Sequence, residues 1–146
     1  MAYFDSMKIS ASGMTAQRLR ADIIAQNLAN VKTTRTAGGK PYRRQTVLFE
    51  TLQRRQEFKD ILTNFMGKQT NGGVKAARIV QDRSPLTTVY EPNHPDADEN
   101  GYVSYPNVNV VQEMTDLISA HRSYEANVTA FNATKAMISK ALEIGR

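Results

Sequence analysis

The feature that most constrains this chain is a run of apolar residues near its C-terminal end that recur three and four positions apart. The run extends from residue 110 to residue 142, and only a helix places such a series in one stripe. Kept over more than about four heptads, this spacing is typical of a coiled-coil seam rather than of an ordinary amphipathic face. We call this stripe the seam, and its members are Val110, Met114, Leu117, His121, Tyr124, Val128, Phe131, Lys135, Ile138 and Leu142.

A seam of this length predicts another long helix as its partner. At roughly 1.5 Å per residue the helix would be about 50 Å long. A compact domain of 146 residues is only about 30 Å across. The seam therefore extends beyond any core that the rest of the chain can form.

Residues 5–31 are predicted to form a first long helix, with Asp5 or Ser6 as its N-cap. Its apolar residues fall in two arcs, and a helix that is apolar on two faces needs neighbours on two sides. We expect one neighbour to be the C-terminal helix of the same chain and the other to come from another subunit. Asn27 and Asn30 are interpreted as capping or register-setting amides, because a buried amide left unpaired costs free energy. The first arc is Met14, Ala21, Ile24, Leu28 and Val31, and the second is Ile9, Ala16, Leu19 and Ile23.

Short strand patterns occupy the middle of the chain. Residues 42–51, 74–81, 86–90 and 102–105 are rich in β-forming residues and are predicted to be strands, with Val47 and Phe49 on one side of the first. Between them, Phe58, Ile61, Leu62 and Phe65 have a helical spacing, which indicates a short amphipathic helix within residues 52–66. Residues 67–73 contain three glycines and are predicted to be a loop.

An extended, proline-containing connector leads into the second long helix. Residues 92–109 contain three of the five prolines, and proline biases the residue before it toward extended geometry. Asn109 and Gln112 resemble a capping box that opens the helix, and Gly145 is placed to end it. The predicted fold is therefore mainly α, with long N- and C-terminal helices and a small β-rich insert. Its divisions are an N-terminal helix (1–34), a middle segment of short strands, a basic loop and an extended connector (35–106), and a C-terminal helix (107–146).

The positive charge is concentrated in the middle of the sequence. Residues 32–83 hold 12 of the 19 Lys and Arg residues but only 4 of the 14 Asp and Glu residues, a local charge of +8 within a chain of +5. Clustered cations bind phosphate, so a basic nucleic-acid-binding or scaffold module in residues 32–83 is an alternative function. No helix-turn-helix, RNP or zinc-finger pattern accompanies the charge, which favours a solvated or subunit-facing basic region.

Two further sequence features, an acidic run and a pair of histidines, bear on metal binding. Residues 96–101, Asp-Ala-Asp-Glu-Asn-Gly, match the first six positions of an EF-hand loop, but the twelfth position is Asn107 where a bidentate Glu is needed. We interpret this run as an Asx-rich turn whose side-chain oxygens satisfy local backbone N–H groups. His94 and His121 lack metal-binding spacing, and we expect His121 to hydrogen-bond across a helix interface. There is no cysteine and no nucleophile arrangement, so we predict no catalytic, cofactor-binding or metal site.

Several motifs resemble one protein family. The run Ala-Gln-Asn-Leu-Ala-Asn-Val-Lys-Thr at residues 25–33 resembles the N-terminal motif of the axial proteins of the bacterial flagellum, which form its rod, hook and hook-associated parts. Glu113-Met114 and residues 122–127, Arg-Ser-Tyr-Glu-Ala-Asn, resemble the matching C-terminal motif. Residues 90–98, 101–103 and 106–108 narrow the resemblance to the proximal rod proteins, and residues 50–71 match least.

The resemblance implies a structural, non-enzymatic subunit whose terminal helices pack as a coiled coil in a tubular assembly. Such a subunit polymerises in the basal-body rod, which crosses the periplasm or cell envelope and transmits torque from the motor to the hook. Its implied partners are copies of itself, rod proteins of the FlgB, FlgF and FlgG types, the FliE-type adaptor and the MS-ring. It would be exported by the flagellar type III apparatus, which fits a start without a cleavable secretory signal. No cofactor, nucleic acid or small-molecule substrate is implied.

We predict that both terminal helices contribute to the interface between subunits. The basis is that each helix carries more apolar surface than one chain can cover. The predicted interface residues are Met14, Leu19, Ile23, Ile24, Asn27, Leu28, Asn30, Val110, Met114, Leu117, Ile118, His121, Tyr124, Asn127, Val128, Phe131, Ile138 and Leu142.

Overall fold

The computed structural model describes residues 2–52 and 72–144 and contains two long helices with four strands between them. Helix α1 spans Ala2–Ala29, and helix α2 spans Val110–Ile144. The mainly helical fold with a small β-rich insert is therefore confirmed. The helix predicted within residues 52–66 and most of the loop at 67–73 lie outside the described residues.

Helix α1 begins earlier than the sequence predicted. Its first residue is Ala2, so Asp5 and Ser6 lie inside the helix and the prediction that one of them is the N-cap is wrong. At the other end, the Asn30 side-chain amide donates to the Gln26 carbonyl at 2.9 Å and accepts from the Thr33 hydroxyl at 3.1 Å. The Gln26 carbonyl also accepts the Asn30 backbone N–H at 3.1 Å, so the side chain adds a second hydrogen bond to this carbonyl, and the capping interpretation stays a prediction.

Asn109 caps helix α2. Its side-chain oxygen accepts hydrogen bonds from the backbone N–H groups of Val111 at 3.0 Å and Gln112 at 3.3 Å. These N–H groups belong to the first turn, where the helix itself offers them no carbonyl acceptor. The reciprocal half of the predicted capping box is not formed, because the Gln112 side chain donates instead to the Asp116 carboxylate at 3.3 Å. The helix ends at Ile144, and Gly145 lies outside the described residues.

The four strands form two separate two-stranded sheets. In the first, β1 (Gln45–Thr51) pairs with β2 (Val74–Gln81), and in the second β3 (Thr87–Tyr90) pairs antiparallel with β4 (Tyr102–Tyr105). Val47 is buried and Phe49 is half-buried, as the alternation in β1 predicted. Thr87 lies opposite Tyr105 and Tyr90 opposite Tyr102, and the rings of the latter pair meet edge to face with centroids 5.3 Å apart.

Two compact units make up the chain, and each contains part of both helices. The first unit comprises residues 1–18, 49–77 and 121–146, and the second comprises residues 19–48 and 78–120. In the first unit, a Cβ placed on Gly13 of α1 would lie 2.7 Å from the side-chain oxygen of Asn127 of α2. The absence of a side chain at Gly13 therefore allows this close approach of the two helices.

Candidate functional site

Asn27 is the centre of a buried hydrogen-bond network in the second unit. Its side chain is fully buried, and its amide donates to the Gln45 carbonyl at 2.8 Å and the Glu113 carboxylate at 2.9 Å. Its side-chain oxygen accepts from the Tyr42 hydroxyl and from the Gln45 N–H, both at 2.9 Å. One residue of α1 is thereby joined to the start of β1 and to α2. The pairing expected of a buried amide at position 27 is therefore present, and its role in setting the register stays a prediction.

Arg44 supplies the positive charge that balances the buried carboxylate of Glu113. Glu113 is fully buried, and an unpaired buried carboxylate is very costly. The Arg44 Nε atom donates to Glu113 Oε1 at 2.6 Å, while the other guanidinium nitrogens lie 3.8 Å from the Asp82 and Asp116 carboxylates. Arg20 also pairs with Asp116, at 3.1 Å. We call Asn27, Tyr42, Arg44, Gln45 and Glu113 the Asn27 network.

The burial of this network raises the pKa of the Tyr42 hydroxyl above its ordinary value of 10.0. Burial is the larger cause, because it disfavours the phenolate, and the negative charge of Glu113 adds to it. Tyr42 therefore stays protonated and can donate its hydrogen bond to Asn27 over the whole neutral range.

Asn107 ties the Asn27 network to the turn that follows β2. Its side-chain oxygen accepts from the Arg44 N–H at 3.0 Å, and its amide donates to the Ser84 hydroxyl oxygen at 2.9 Å. Within the turn, the Ser84 hydroxyl and N–H donate to the Asp82 carboxylate at 2.6 and 2.9 Å. These two hydrogen bonds, the hydroxyl first, lower the pKa of Asp82 below its ordinary value, and Arg44 and Arg43 contribute further.

The acidic run at residues 96–101 is held differently from the predicted Asx-rich turn. The Asp96 carboxylate accepts from the Thr34 hydroxyl at 2.8 Å and lies 3.7 Å from Arg35, so it binds the segment after α1. The backbone N–H of Asp96 donates to the imidazole Nδ1 of His94 at 3.1 Å. The Asx-turn interpretation is therefore wrong for Asp96. In the part of the chain that the structure describes, no three His, Cys, Asp or Glu residues are placed together to hold a metal ion.

A cavity of about 50 Å³ lies beside the network, and its lining includes the charged side chains of Arg20, Arg44, Glu113 and Asp116 together with Val47. Pockets that bind small molecules are typically several hundred Å³. This one has room for ordered water, and its lining charges already pair with one another.

The predicted interface residues divide into buried, half-buried and exposed groups. Ile23, Ile24 and Asn27 are buried within the second unit, so the single chain does not expose them to a neighbour, and their part in an interface stays a prediction. Met14, Leu19, Leu28, Asn30, Leu117, Asn127, Val128, Phe131 and Ile138 are half-buried. Val110, Met114, Ile118, His121, Tyr124 and Leu142 are exposed.

The seam is not one uniformly buried stripe of α2. The buried α2 positions are Glu113, Ala120 and Thr134. None of them belongs to the seam, because small and hydrogen-bonded side chains occupy the buried face of the helix. His121 is exposed, and its side chain makes no hydrogen bond within residues 2–52 and 72–144. The hydrogen bond expected of it across a helix interface remains a prediction.

An exposed apolar patch lies at the start of α2. Val111 is 74% exposed, Met114 and Ile118 are each 54% exposed, and Val110 is 41% exposed. We call these four residues the α2 patch. Sequence reasoning missed Val111, although its spacing of three and seven positions from Met114 and Ile118 is a second helical series that the sequence already contained.

Several cations of residues 32–83 are engaged within the chain. Arg44 pairs with Glu113, Arg43 donates to the backbone carbonyls of Asp82 and Ser84, and Lys75 lies 3.7 Å from Glu50. The basic middle is thus partly a structural feature of the fold.

Comparison with known proteins places this fold in a class. The family model described as flagella basal body rod protein matches residues 7–35, and the model described as flagellar basal body rod FlgEFG protein C-terminal matches residues 99–144. The N-terminal match contains Asn27 and the C-terminal match contains Glu113, whereas Tyr42, Arg44 and Gln45 of the network lie between the two matched ranges. These matches define a flagellar basal-body rod protein.

Curated relatives specify the member of the class. The chain is 48% identical to the flagellar basal-body rod protein FlgC of Bacillus subtilis, over the whole of both chains. It is 46% identical to FlgC of Borreliella burgdorferi over 99% of this chain and 98% of that protein, and 38% identical to FlgC of Salmonella typhimurium over the whole of both. The chain belongs to the FlgC family of flagellar basal-body rod proteins.

The family defines the molecule as a structural subunit of the flagellar basal body and not an enzyme. The alternative of a nucleic-acid-binding module has no support from these relatives. Within residues 2–52 and 72–144, neither helix combines the length and the apolar character that crossing a membrane requires.

Proposed function

We propose that this subunit polymerises through its terminal helices, packed as a coiled coil, into a tube that forms part of the drive shaft of the flagellum. The observation that carries the proposal is the exposure of large apolar residues on α2: the α2 patch, with Leu142 at 70% and Ile144 at 86%. Exposed clusters of large apolar side chains, such as the α2 patch, are typical of protein–protein contacts. Terminal helices (1–34 and 107–146) would form the assembly core, and residues 35–106 would form the part between them.

The Asn27 network would give each subunit the stiffness that a torque-bearing shaft needs. Hydrogen bonds to a buried carboxylate fix one alignment of α1, β1 and α2, because sliding either helix would leave Glu113 or Asn27 unpaired. An apolar contact alone would tolerate such sliding more easily, since the hydrophobic effect is non-directional.

The partners of the subunit follow from the same proposal. It would contact further copies of itself, rod proteins of the FlgB, FlgF and FlgG types, the FliE-type adaptor and the MS-ring. It would reach them through the flagellar type III export apparatus.

The test is complementation of flagellated cells that lack their own rod subunit of this type. The double variant Met114→Ser, Ile118→Ser removes two side chains that are exposed in the single chain, so folding should be preserved and assembly lost. Ala136→Ser, at an exposed position farther along α2, is the matched control. We expect the control to swim and the double variant to be exported but non-motile, without a rod in electron micrographs of basal bodies. Normal swimming by the double variant would show that this surface is not used in assembly.

A further inference from the structure

The α2 patch has the geometry of a surface that receives another helix. Its members Val111, Met114 and Ile118 follow one another at intervals of three and four, which places them on successive turns of one helical face. That face is turned away from the fully buried Glu113 and Ala120. Knobs at this spacing fit the holes of a facing helix.

Helix α1 presents a face into which such side chains fit. Ala25 and Ala29 are both exposed and lie one turn apart, so their small side chains leave space for larger ones from an approaching helix, and the distance between helix axes can be short. Both residues point away from the buried Ile23 and Asn27 of the same helix. The chain therefore carries large apolar residues on one helix and small ones on the other.

Charges flank both faces in a complementary order. Arg18 and Asp22 precede Ala25 on α1, and Arg122 and Glu125 follow Ile118 on α2. All four side chains are exposed. Among the residues that the structure describes, none of the four takes part in an ion pair.

We propose that the α2 patch of one subunit packs antiparallel against the exposed Ala25–Ala29 face of α1 of a second copy of this chain. The inference rests on the proposed function and names the contact through which identical subunits join. In one antiparallel alignment, Met114 lies opposite Ala29 and Ile118 opposite Ala25. The same alignment places Arg122 opposite Asp22 and Glu125 opposite Arg18. The reason is that each interval of three or four residues along α2 is matched by an interval of three or four residues in the opposite direction along α1.

The unlike faces explain why the contact would propagate. A surface that binds a different surface on an identical molecule is heterologous, and it builds rings or open helices rather than closed dimers. The alternative, α2 patch against α2 patch, would be isologous. No antiparallel α2–α2 alignment opposes the patch to itself and also pairs Arg122 with Glu125, because the charges follow the patch on the same side of the helix.

Disulfide crosslinking in assembled basal bodies tests the contact. The natural chain contains no cysteine, so every disulfide between two copies of it reports an introduced pair. A chain carrying both Ala25→Cys and Ile118→Cys is expressed in flagellated cells in place of their rod subunit, and isolated basal bodies are treated with a mild oxidant. We expect a ladder of linked subunits for the double variant and monomers for each single variant. Ala25→Cys combined with Thr129→Cys, at an exposed position beyond the patch, is the matched control and should give monomers.

A charge exchange tests the alignment. In the double-cysteine chain, Arg122→Glu should reduce the ladder by placing like charges together, and adding Asp22→Arg should restore it. A dimer from Ile118→Cys alone would establish the isologous contact. Crosslinks only to other basal-body proteins would establish a different partner. Either of these results, or the absence of a ladder, overturns the proposal. Swimming of the same strains under reducing conditions reports rod function separately, so motile cells without a ladder would refute this contact while leaving the proposed function intact.

Discussion

Replacing Asn27 with alanine should reveal how much the polar network contributes to the stability of the subunit. The substitution removes four hydrogen bonds of 2.8–2.9 Å from a fully buried side chain. A hydrogen bond contributes about 1 kcal/mol net, and a buried partner left unpaired costs about 1–3 kcal/mol. Tyr42 and Gln45 are only half-buried and can turn to water, whereas Glu113 cannot. We therefore expect a loss of about 3–5 kcal/mol, a large share of the roughly 5–15 kcal/mol that stabilises a typical domain.

The assay is urea unfolding of the full chain, followed by far-ultraviolet circular dichroism at neutral pH. Asn30→Ala is the matched control, because Asn30 belongs to the same helix and the same motif but makes only two side-chain hydrogen bonds, at a half-buried helix end. It should lose only about 1 kcal/mol. If Asn27→Ala and Asn30→Ala shift the unfolding midpoint equally at an unchanged slope, the network does not hold the helices in register.

Three further predictions concern pH and backbone geometry. The pKa of Tyr42 is raised in the folded chain. The contribution of Tyr42 to stability is therefore complete below its ordinary pKa and decreases as the pH rises toward the pKa of the folded chain. Tyr42→Phe should reduce this loss of stability at alkaline pH in thermal melts measured between about pH 8 and 11. Hydrogen bonds from Ser84 lower the pKa of Asp82 in the folded chain. The contribution of Asp82 to stability is therefore present above its unfolded pKa and is lost as the pH falls through its folded pKa. Asp82→Asn should reduce the dependence of the melting temperature on pH in the acid range, and an unchanged acid profile would contradict the role of the turn. Gly73 has φ of +83°, and a Cβ there would lie 2.5 Å from the Ser12 hydroxyl oxygen. Gly73→Ala should therefore lower the free energy of unfolding in urea by more than about 1 kcal/mol. Gly39 also has a positive φ but open space around it, so Gly39→Ala should lower this free energy by less.

Local sequence patterns predicted the elements well where short-range chemistry decides. The bounds of β2 and β4 are those expected, and Asn109 begins α2 by the capping chemistry that its position indicated. Strand β1 starts three residues later than predicted, at Gln45. The reason is that residues before it are engaged elsewhere: the Tyr42 N–H donates to the Thr33 carbonyl, and the Arg44 N–H donates to Asn107.

The candidate site was only half visible in the sequence. Asn27 could be recognised as a register-setting amide because a polar residue interrupts an apolar helical face. Its partner Glu113 could not, since a glutamate in the first turn of a helix is ordinarily a solvated residue that favours the helix dipole. Only the tertiary fold brings Arg44 and Asn27 to it from 69 and 86 residues away. The exposure of Met114 and the burial of Ala120 likewise depend on which side of α2 the fold covers, which spacing alone does not determine.

The side chain of Asn27 uses both of its donor hydrogens and both acceptor positions of its oxygen, and this leaves position 27 almost no freedom to vary. Aspartate has the right shape but would offer acceptors to a carbonyl and a carboxylate that accept as well. Glutamine carries the right groups on a stem one carbon too long for the enclosed space, and serine is too short to span it. In a library with every amino acid at this position, we therefore expect swimming cells to retain asparagine, whereas position 30 should admit several residues.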